Sequence, residues 1–401
     1  MSVTNQRLLE LAREQYDFMV RIRRDLHRHP EASTKEFRTQ QIVIDELRAI
    51  GVTEIKKYFN TGVAAVIRGT KPGKTLGIRA DMDALLMDEA SGLPFASENP
   101  GVAHACGHDG HTAMLLGAAR VLWQIKDELR GSVKLIFQPA EENGPQGGGA
   151  QYMIKEGVLT DEPAVDFMTG LHTNNRYPVG TLASRSGPTH AGSDPIYLNI
   201  YGKGGHASTP HLNKDPIVAA AYIITALQTV VSRNVNPFDN AVVGVSMIQG
   251  GTRHNIVPEQ VHIRGTIRTF KEDVRKLVGQ RITAIVNDVA DAMDVRAELD
   301  IRWNYGPLVN DAAMYPHVRA WLSDLVGIDH YVDQEFPNTG GEDFSYFAAA
   351  VPSVYFWLGS QADDGVVISP HNPAFTFNEK ALPYGAAAFS KIALQYLNEE
   401  S

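Results

Sequence analysis

The densest group of chemically capable side chains is a short segment in the first third of the chain, HACGHDGH, from His104 to His111. Five of its eight residues carry a thiol, an imidazole or a carboxylate, and thiolate and imidazole are the usual ligands of a borderline-soft divalent ion. Residues two apart in an extended segment face the same way, so we predict that Cys106 and His108 converge on one ion while His111 begins the next helix. An isolated cysteine is more often a core residue, but this crowding favours a metal site.

A pair of adjacent glutamates, Glu141 and Glu142, follows a strand predicted at residues 133–138. Neighbouring side chains at a strand end point to different sides, so one carboxylate could bind a metal while the other serves as general acid or base. The residues alone do not say which is which. A solvated acidic turn is the ordinary alternative, but active sites of open α/β sheets gather at the carboxyl ends of strands, which favours a functional pair.

Other predicted strands end in further candidate ligands. They are His172 after residues 165–171, His371 after residues 352–358, and Asp81 and Asp83 after residues 76–79. An aspartate can orient a ligand histidine through its second ring nitrogen, and pairing with Arg79 is the structural alternative. Five potential ligands exceed the four of a closed zinc site, so the pattern predicts two ions with a bridging group, an arrangement used for hydrolysis.

The elements that must position these side chains fall into two blocks. The first alternates helices with strands, which indicates an α/β sheet with helices on both faces. Its helices are predicted at 5–29, 34–50, 111–129, 149–156 and 378–398, and its strands at 61–68, 75–79, 133–138, 165–172 and 352–358. After about residue 186 the pattern changes to half-apolar strands at 195–203, 241–249, 260–270 and 295–305, with helices at 215–232 and 272–293. This second block predicts an inserted α+β domain in which two helices cover one side of an antiparallel sheet.

The composition excludes several classes of protein. With 401 residues, 43% of them hydrophobic, the chain is expected to be a soluble globular protein of two or at most three domains. A net charge of −9 without a long basic cluster disfavours nucleic acid. The most apolar window, residues 217–231, falls short of the about 18 apolar residues of a membrane span and is predicted to be a buried helix. No signal-peptide pattern is present at the start, so we expect a cytoplasmic location without membrane partners.

Together these motifs resemble those of the M20 metallopeptidases, in the amidohydrolase branch of hippurate, N-acyl-amino-acid and indole-acetyl-amino-acid hydrolases. The matching segments are residues 24–31, 77–85, 104–111, 138–142, 170–172, 202–210, 340–344 and 371–373. The resemblance implies a mixed-sheet catalytic domain formed by residues 1–186 and 300–401. It also implies a lid and dimerisation domain at residues 187–299, inserted between the two parts.

The resemblance also assigns roles to the candidate residues. The implied ligands of two divalent ions per subunit are Cys106, His108, Glu142, His172 and His371. Zn or Mn is expected, with Co or Ni as further candidates. Cys106 resembles the bridging group that an aspartate provides in other branches, Glu141 resembles the general base, and Asp83 matches the aspartate that orients the site.

In the lid, a Gly-rich turn at residues 202–208 is predicted to expose His206. The resemblance implies that this histidine stabilises the oxyanion, often across a dimer interface, and a capping histidine in a hairpin is the alternative. Asn255 is a candidate lid contact and Arg268 a candidate clamp for a substrate carboxylate, although either could be a structural donor. Gly340 and Gly341 resemble the backbone-amide substrate loop of the family.

One segment departs from the family pattern. Residues 186–194 differ from the small, methionine-containing run expected there, and His190 is an additional histidine.

The predicted function is metal-dependent hydrolysis of the amide bond of small N-acyl amino acids, hippurate-like or N-acetyl, by a metal-activated water with Glu141 as base. A homodimer formed through the lid is expected. Within the family, a dipeptidase or an N-acetyl-diamino-acid deacetylase is the alternative. Outside it, the alternatives are a metal-free thiol hydrolase that uses Cys106 with His108 and Asp83, and a binding module without activity, against which the intact Glu141 argues.

Overall fold

The computed structural model describes residues 3–143 and 147–399. Its helices are α1 (Asn5–Glu14), α2 (Tyr16–Arg28), α3 (Phe37–Ile50), α4 (His108–Gln124), α5 (Ala150–Lys155), α6 (Pro216–Asn234), α7 (Glu272–Ala292), α8 (Met314–Val326), α9 (Phe344–Ala350) and α10 (Leu382–Asn398). Its strands are β1 (Glu54–Tyr58), β2 (Gly62–Arg68), β3 (Lys71–Asp81), β4 (Arg130–Gln138), β5 (Phe167–Asn174), β6 (Leu182–Ser184), β7 (Gly187–His190), β8 (Gly192–Tyr201), β9 (Gly205–His206), β10 (Ala241–Gly250), β11 (Ile256–Val257), β12 (Gln260–Thr269), β13 (Arg296–Ile301), β14 (Leu308–Asn310), β15 (Tyr331–Asp333) and β16 (Ser353–Gly359).

The larger domain is built on an eight-stranded mixed sheet in the order β1-β2-β4-β3-β5-β16-β6-β15. Strands β4, β3, β5 and β16 run parallel to one another, so their carboxyl ends lie at one edge. Alternation along β4 shows how the two faces are covered: Val133, Leu135 and Phe137 pack into the core with α4 and α10, whereas Ile136 packs with α5 and α9. Helices therefore lie on both faces, as the alternating pattern predicts.

The smaller domain contains a four-stranded antiparallel sheet in the order β10-β12-β8-β13. Along β8, Ile196, Leu198 and Ile200 are buried against α6 and α7, while the intervening residues are half-buried on the other face. Two helices on one side of an antiparallel sheet form the α+β lid that the period-2 pattern predicts.

Several predicted boundaries differ from the structure. The helix predicted at 5–29 is two helices separated at Gln15, and strand β1 was not predicted. The helix predicted from His111 begins at His108 and ends at Gln124. The extended geometry expected for Cys106 and His108 is therefore wrong. Gly107 has a left-handed φ of 93°, which lets the chain turn directly from the cysteine loop into the helix.

The apolar helix α6 is less buried than the sequence predicts. By length and composition it is the one helix within residues 3–143 and 147–399 that could cross a membrane, yet only 33% of its apolar window is buried. Ile217, Val218 and Tyr222 are 43%, 44% and 57% exposed. The prediction of a buried helix is wrong because α6 covers the lid sheet with one face only, and nothing in the described chain covers its other face.

Candidate metal site

The five predicted metal ligands lie together at the edge where the parallel strands end. Cys106 Sγ is 3.3 Å from His172 Nε2, and His371 Nε2 is 3.1 Å from Glu142 Oε1. One atom of each of Cys106, His108 and His172 lies within 4.8 Å of the others, and the same holds for Cys106, Glu142 and His371. Cys106 belongs to both groups, which is the position a bridging ligand needs.

Two of the histidines are held in the tautomer that a metal ligand requires. His172 Nδ1 is 2.8 Å from the Thr173 carbonyl oxygen, and His108 Nδ1 is 3.0 Å from the Asp83 carbonyl oxygen. A carbonyl only accepts, so each Nδ1 carries a proton, and each Nε2 is the ring nitrogen left to bind an ion. The buried Nε2 of His108 has no hydrogen-bond partner among the described residues. A buried nitrogen without a partner is costly, and a cation at this point would satisfy it.

His371 reaches this group from the far end of the chain. Its side chain is 56% exposed, and its backbone lies in the left-handed region with a φ of 65°. The backbone N–H donates to the Ala105 carbonyl at 2.8 Å, next to Cys106. Such a conformation is unfavourable for a residue with a side chain and is often retained at functional sites. The hydrogen bond with Glu142 raises the pKa of His371 above its usual value.

Asp83 ties the histidine loop to the glutamate pair. Its carboxylate accepts hydrogen bonds from the Glu141 and Glu142 amides at 3.0 and 2.9 Å, and from the Ser33 hydroxyl at 2.6 Å. Its Oδ1 also lies 3.3 Å from His108 Nδ1. Burial opposes ionisation, but these hydrogen bonds outweigh it and lower the pKa of Asp83. An ionised Asp83 thus fixes His108 and the backbone of both glutamates in one arrangement.

Glu141 and Glu142 point to different surroundings, as the strand-end argument predicts. Glu142 faces His371, whereas Glu141 is buried beside Glu342 and Asp343. Burial, and then the charges of Glu342, Glu142 and Asp343, raise the pKa of Glu141 well above its usual value, although Arg79 opposes them. Glu141 therefore binds a proton more strongly than an exposed carboxylate does.

The buried charges beneath Glu141 were not predicted as part of the site. The Arg79 guanidinium is fully buried and pairs with Asp81 at 2.7 Å, Asp343 at 2.8 Å and Glu342 at 3.0 Å. Asp81 thus forms the ion pair with Arg79 that the sequence analysis gave as its structural alternative. Asp81 also lies 2.6 Å from His111 Nδ1. The signal in the sequence was an arginine inside an otherwise apolar strand, since an arginine is rarely buried without partners.

Tyr305 is another site residue that the sequence pattern does not single out. It lies where the lid returns to the catalytic domain, is buried, and donates its hydroxyl hydrogen bond to the Glu141 carbonyl. Its own carbonyl accepts from the Ser193 amide at 2.8 Å, on the strand that enters the lid. Tyr305 therefore connects both lid junctions to the backbone of Glu141.

A cavity of about 1070 Å³ opens over this group. Its lining includes Cys106, Glu141, Glu142, His172, His371, Arg268, Gly340 and Gly341. Arg268 is half-buried in β12, and burial lowers its pKa. The Gly340 amide donates to Asn338 Oδ1 at 2.8 Å, and a Cβ on Gly341 would lie 2.9 Å from Ser193. Three of the four predicted substrate contacts therefore share one cavity with four of the five ligands and with Glu141, while the fifth ligand, His108, is buried and does not line it.

Two predicted lid residues do not join this site within the chain. His206 and Asn255 are exposed and lie side by side at the small β9–β11 pair, where the Ala207 amide donates to the Asn255 carbonyl at 3.1 Å. His206 Nδ1 accepts from the Ser208 amide at 3.1 Å. Neither residue lines the cavity over the candidate ligands.

Comparison with known proteins decides the family. The family described as Peptidase family M20/M25/M40 matches residues 77–395. The chain belongs to this family. The resemblance predicted from the motifs is therefore confirmed, and so is the mixed-sheet α/β fold with an inserted lid. The deacetylase and amino acid hydrolase described next, each 40% identical to this chain, confirm a hydrolase of the amidohydrolase branch.

Three relatives illustrate the range of the family. The N-acetyl-L-cysteine deacetylase of Bacillus subtilis is 40% identical over 96% of this chain and 89% of its own length. An IAA-amino acid hydrolase of Arabidopsis thaliana, ILR1-like 4, is 40% identical over 96% of this chain and 87% of its own length. The crystal structure of Bacillus subtilis YXEP, a dinuclear metal-binding peptidase of the M20 family, superposes with a TM-score of 0.82 at 32% identity, covering 96% of this chain and 99% of that one.

Proposed function

We propose that this chain hydrolyses the amide bond of N-acyl amino acids, with two divalent ions held by Cys106, His108, Glu142, His172 and His371. The observation that carries the proposal is the convergence of these side chains beside Glu141, with a buried His108 Nε2 that makes no hydrogen bond within the described part of the chain. A thiol, three imidazoles and a carboxylate form a donor set that suits Zn or Mn. The names of the deacetylase and hydrolase relatives support an acyl amino acid as substrate.

The roles of the protein groups follow from their positions. Two bound ions would polarise the amide carbonyl and lower the pKa of a water molecule. Glu141 takes the proton of the attacking water and then delivers it to the leaving amine, since its raised pKa lets it hold a proton between the two steps. Asp83 and Tyr305 hold the backbone of Glu141 in place through its amide and its carbonyl.

Arg268 supplies positive charge for the carboxylate of the substrate amino acid, and the Gly340–Gly341 loop lies in the same cavity. A guanidinium binds a carboxylate through two parallel hydrogen bonds, which fixes orientation as well as charge. The buried surroundings of Arg268 strengthen such an ion pair, because few water molecules compete for it.

The remaining lid residues reach a site only through a movement of the lid or through a second copy of the chain. His206 and Asn255 lie outside the cavity of their own chain. The uncovered side of α6 exposes Ile217, Val218 and Tyr222, and such an apolar surface is suited to self-association. We therefore propose a homodimer formed through the lid, in which His206 of the partner stabilises the oxyanion.

The state of Cys106 argues against the thiol hydrolase alternative. Burial, together with the charges of Glu142 and Glu141, raises the pKa of the Cys106 thiol well above its usual value. A nucleophilic cysteine requires a lowered pKa. A divalent cation reverses this balance, because it binds the thiolate directly.

The test combines metal analysis with a substrate panel of N-acetyl, N-benzoyl and indolylacetyl amino acids and unmodified dipeptides. We expect hydrolysis of N-acyl amino acids by the wild type and two ions per subunit. Glu141→Gln should retain the ions and lose about 10²–10⁴-fold in kcat, while Glu10→Gln, on the exposed side of α1, should match the wild type. Turnover that persists after complete demetallation, or an unchanged rate in Glu141→Gln, would contradict the proposal. Preference for dipeptides would identify a dipeptidase instead.

A further inference from the structure

His190, the additional histidine noted in the sequence, lies in the wall of the cavity. It ends β7 at the entrance to the lid and is 3% exposed. Its ring lies 5.0 Å from the Trp357 ring at an angle of 33° and meets the Tyr355 ring edge-on at 5.5 Å. Trp357 in turn lies 5.5 Å from the ring of His172. A continuous aromatic wall thus runs from a candidate metal ligand to His190.

The hydrogen bonds around His190 determine which of its nitrogens carries the proton. Nδ1 lies 3.2 Å from the Thr189 hydroxyl, and that hydroxyl lies 3.3 Å from the Leu308 carbonyl oxygen. The carbonyl only accepts, so the single hydroxyl proton goes to Leu308 and Nδ1–H donates to the Thr189 oxygen. Nε2 then carries a lone pair, and it has no hydrogen-bond partner among the described residues. Burial lowers the pKa of His190 to about 4, so the ring is neutral near pH 7.

This wall suits one end of the substrate better than the other. A neutral imidazole and an indole offer no charge to a carboxylate, whereas Arg268 in the same cavity does. The carboxylate of the substrate would therefore bind Arg268, and its acyl group would lie against Trp357 and His190. Flat aromatic acyl groups pack well against such rings. The His190 Nε2 acceptor in the cavity wall also favours an acyl group that carries a hydrogen-bond donor.

We propose that His190 determines acyl specificity: its Nε2 accepts a hydrogen bond from the N–H or O–H of an aromatic acyl group. The inference rests on the proposed function, since it needs the substrate to be an N-acyl amino acid.

The test uses pairs of substrates that differ only in the donor. Indol-3-ylacetyl and benzofuran-3-ylacetyl conjugates of one amino acid exchange N–H for an oxygen, and 4-hydroxyphenylacetyl and 4-fluorophenylacetyl conjugates exchange O–H for fluorine. We expect the wild type to favour the donor-bearing member of at least one pair by about tenfold in kcat/KM. His190→Met, which removes the acceptor, should bring that ratio close to one, and His330→Met, at an exposed histidine, should leave it unchanged.

The ratio of two substrates on one preparation does not depend on how much of a variant is folded. Equal rates on both members of every pair in the wild type, or an unchanged preference in His190→Met, would overturn the inference. Binding of the free acids of each pair is measured in parallel by calorimetry. If no N-acyl amino acid is hydrolysed, the proposed function fails, and the binding ratios of wild type and His190→Met still decide the role of His190.

Discussion

The candidate ligands in the catalytic domain and the predicted site residues at the tip of the lid differ in how they are held. Cys106 and His108 are buried where the chain enters α4, His172 is buried in β5, and each makes a hydrogen bond inside the catalytic domain. His206 and Asn255 are exposed on a two-residue strand pair. The first group is positioned by the folded core of one chain, whereas the second requires a movement or a partner to reach substrate. Four experiments test this difference.

The largest effect is expected where the ligands converge. Cys106→Ala removes the side chain shared by both ligand groups, so metal content should fall and kcat/KM should drop by about 10³-fold or more. Cys106→Asp keeps an anionic bridging group, so it should retain more metal and more activity than Cys106→Ala. Metal analysis alongside kinetics gives both quantities. Full activity in Cys106→Ala would show that the thiol is not a ligand.

His206→Ala tests whether the lid acts across subunits. Loss of an oxyanion donor should reduce kcat by about 10²–10³-fold. After mixing and refolding with Glu141→Gln, random dimers of two inactive variants should regain about a quarter of wild-type activity, because half of them contain one site with both intact groups. No recovery, with dimers verified by light scattering, would mean that His206 acts in its own chain or not at all.

Tyr305→Phe tests the link between the lid junctions and Glu141. Removing the hydroxyl frees the Glu141 carbonyl, and we expect a loss of about tenfold in kcat with little change in KM or metal content. Tyr346→Phe, which removes a neighbouring hydroxyl that donates to the Asn304 carbonyl, is the matched control. An equal loss of kcat in Tyr305→Phe and Tyr346→Phe would show that Tyr305 has only a structural role.

The smallest effect concerns the contribution of the buried His27 to the stability of the catalytic domain. Burial alone would lower the pKa of His27, but hydrogen bonds with Asp109 and Glu89 outweigh it and raise the pKa from 6.5 to about 9. The charged imidazole therefore stabilises the fold below pH 6.5, and this contribution is lost as pH rises through about 9. His27→Gln should lower the free energy of unfolding by about 1–3 kcal/mol at pH 6 and by little at pH 9.5.

Thermal unfolding over this pH range measures the change. The control is His262→Gln in the lid, where the imidazole lies 2.8 Å from the Asn199 amide oxygen rather than a carboxylate. An identical pH profile for His27→Gln and the wild type would show that the pair with Asp109 contributes no net stability.

Much of the site was predictable from residue types, because ligands have a recognisable chemistry. Cys106, His108 and His371 could be chosen from their residue types, Glu142 could be told from Glu141 only through the family resemblance, and the period of the apolar residues indicated the sheets. The start of a helix and the exposure of its faces could not be predicted from the sequence. The start of α4 at His108 depends on the left-handed Gly107, and the exposed side of α6 depends on how many layers the lid has. Neither follows from hydrophobic periodicity.

The sequence by itself determined the family, the two blocks of elements and the side chains able to bind metal, because those follow from residue type and order along the chain. Only the tertiary structure decided which lone pairs face the site, how Arg79, Glu342 and Asp343 change the proton affinity of Glu141, and that His190 joins the cavity wall. Hydrogen-bond partners and electrostatic neighbours depend on distances between residues that lie hundreds of positions apart, and folding alone sets those distances.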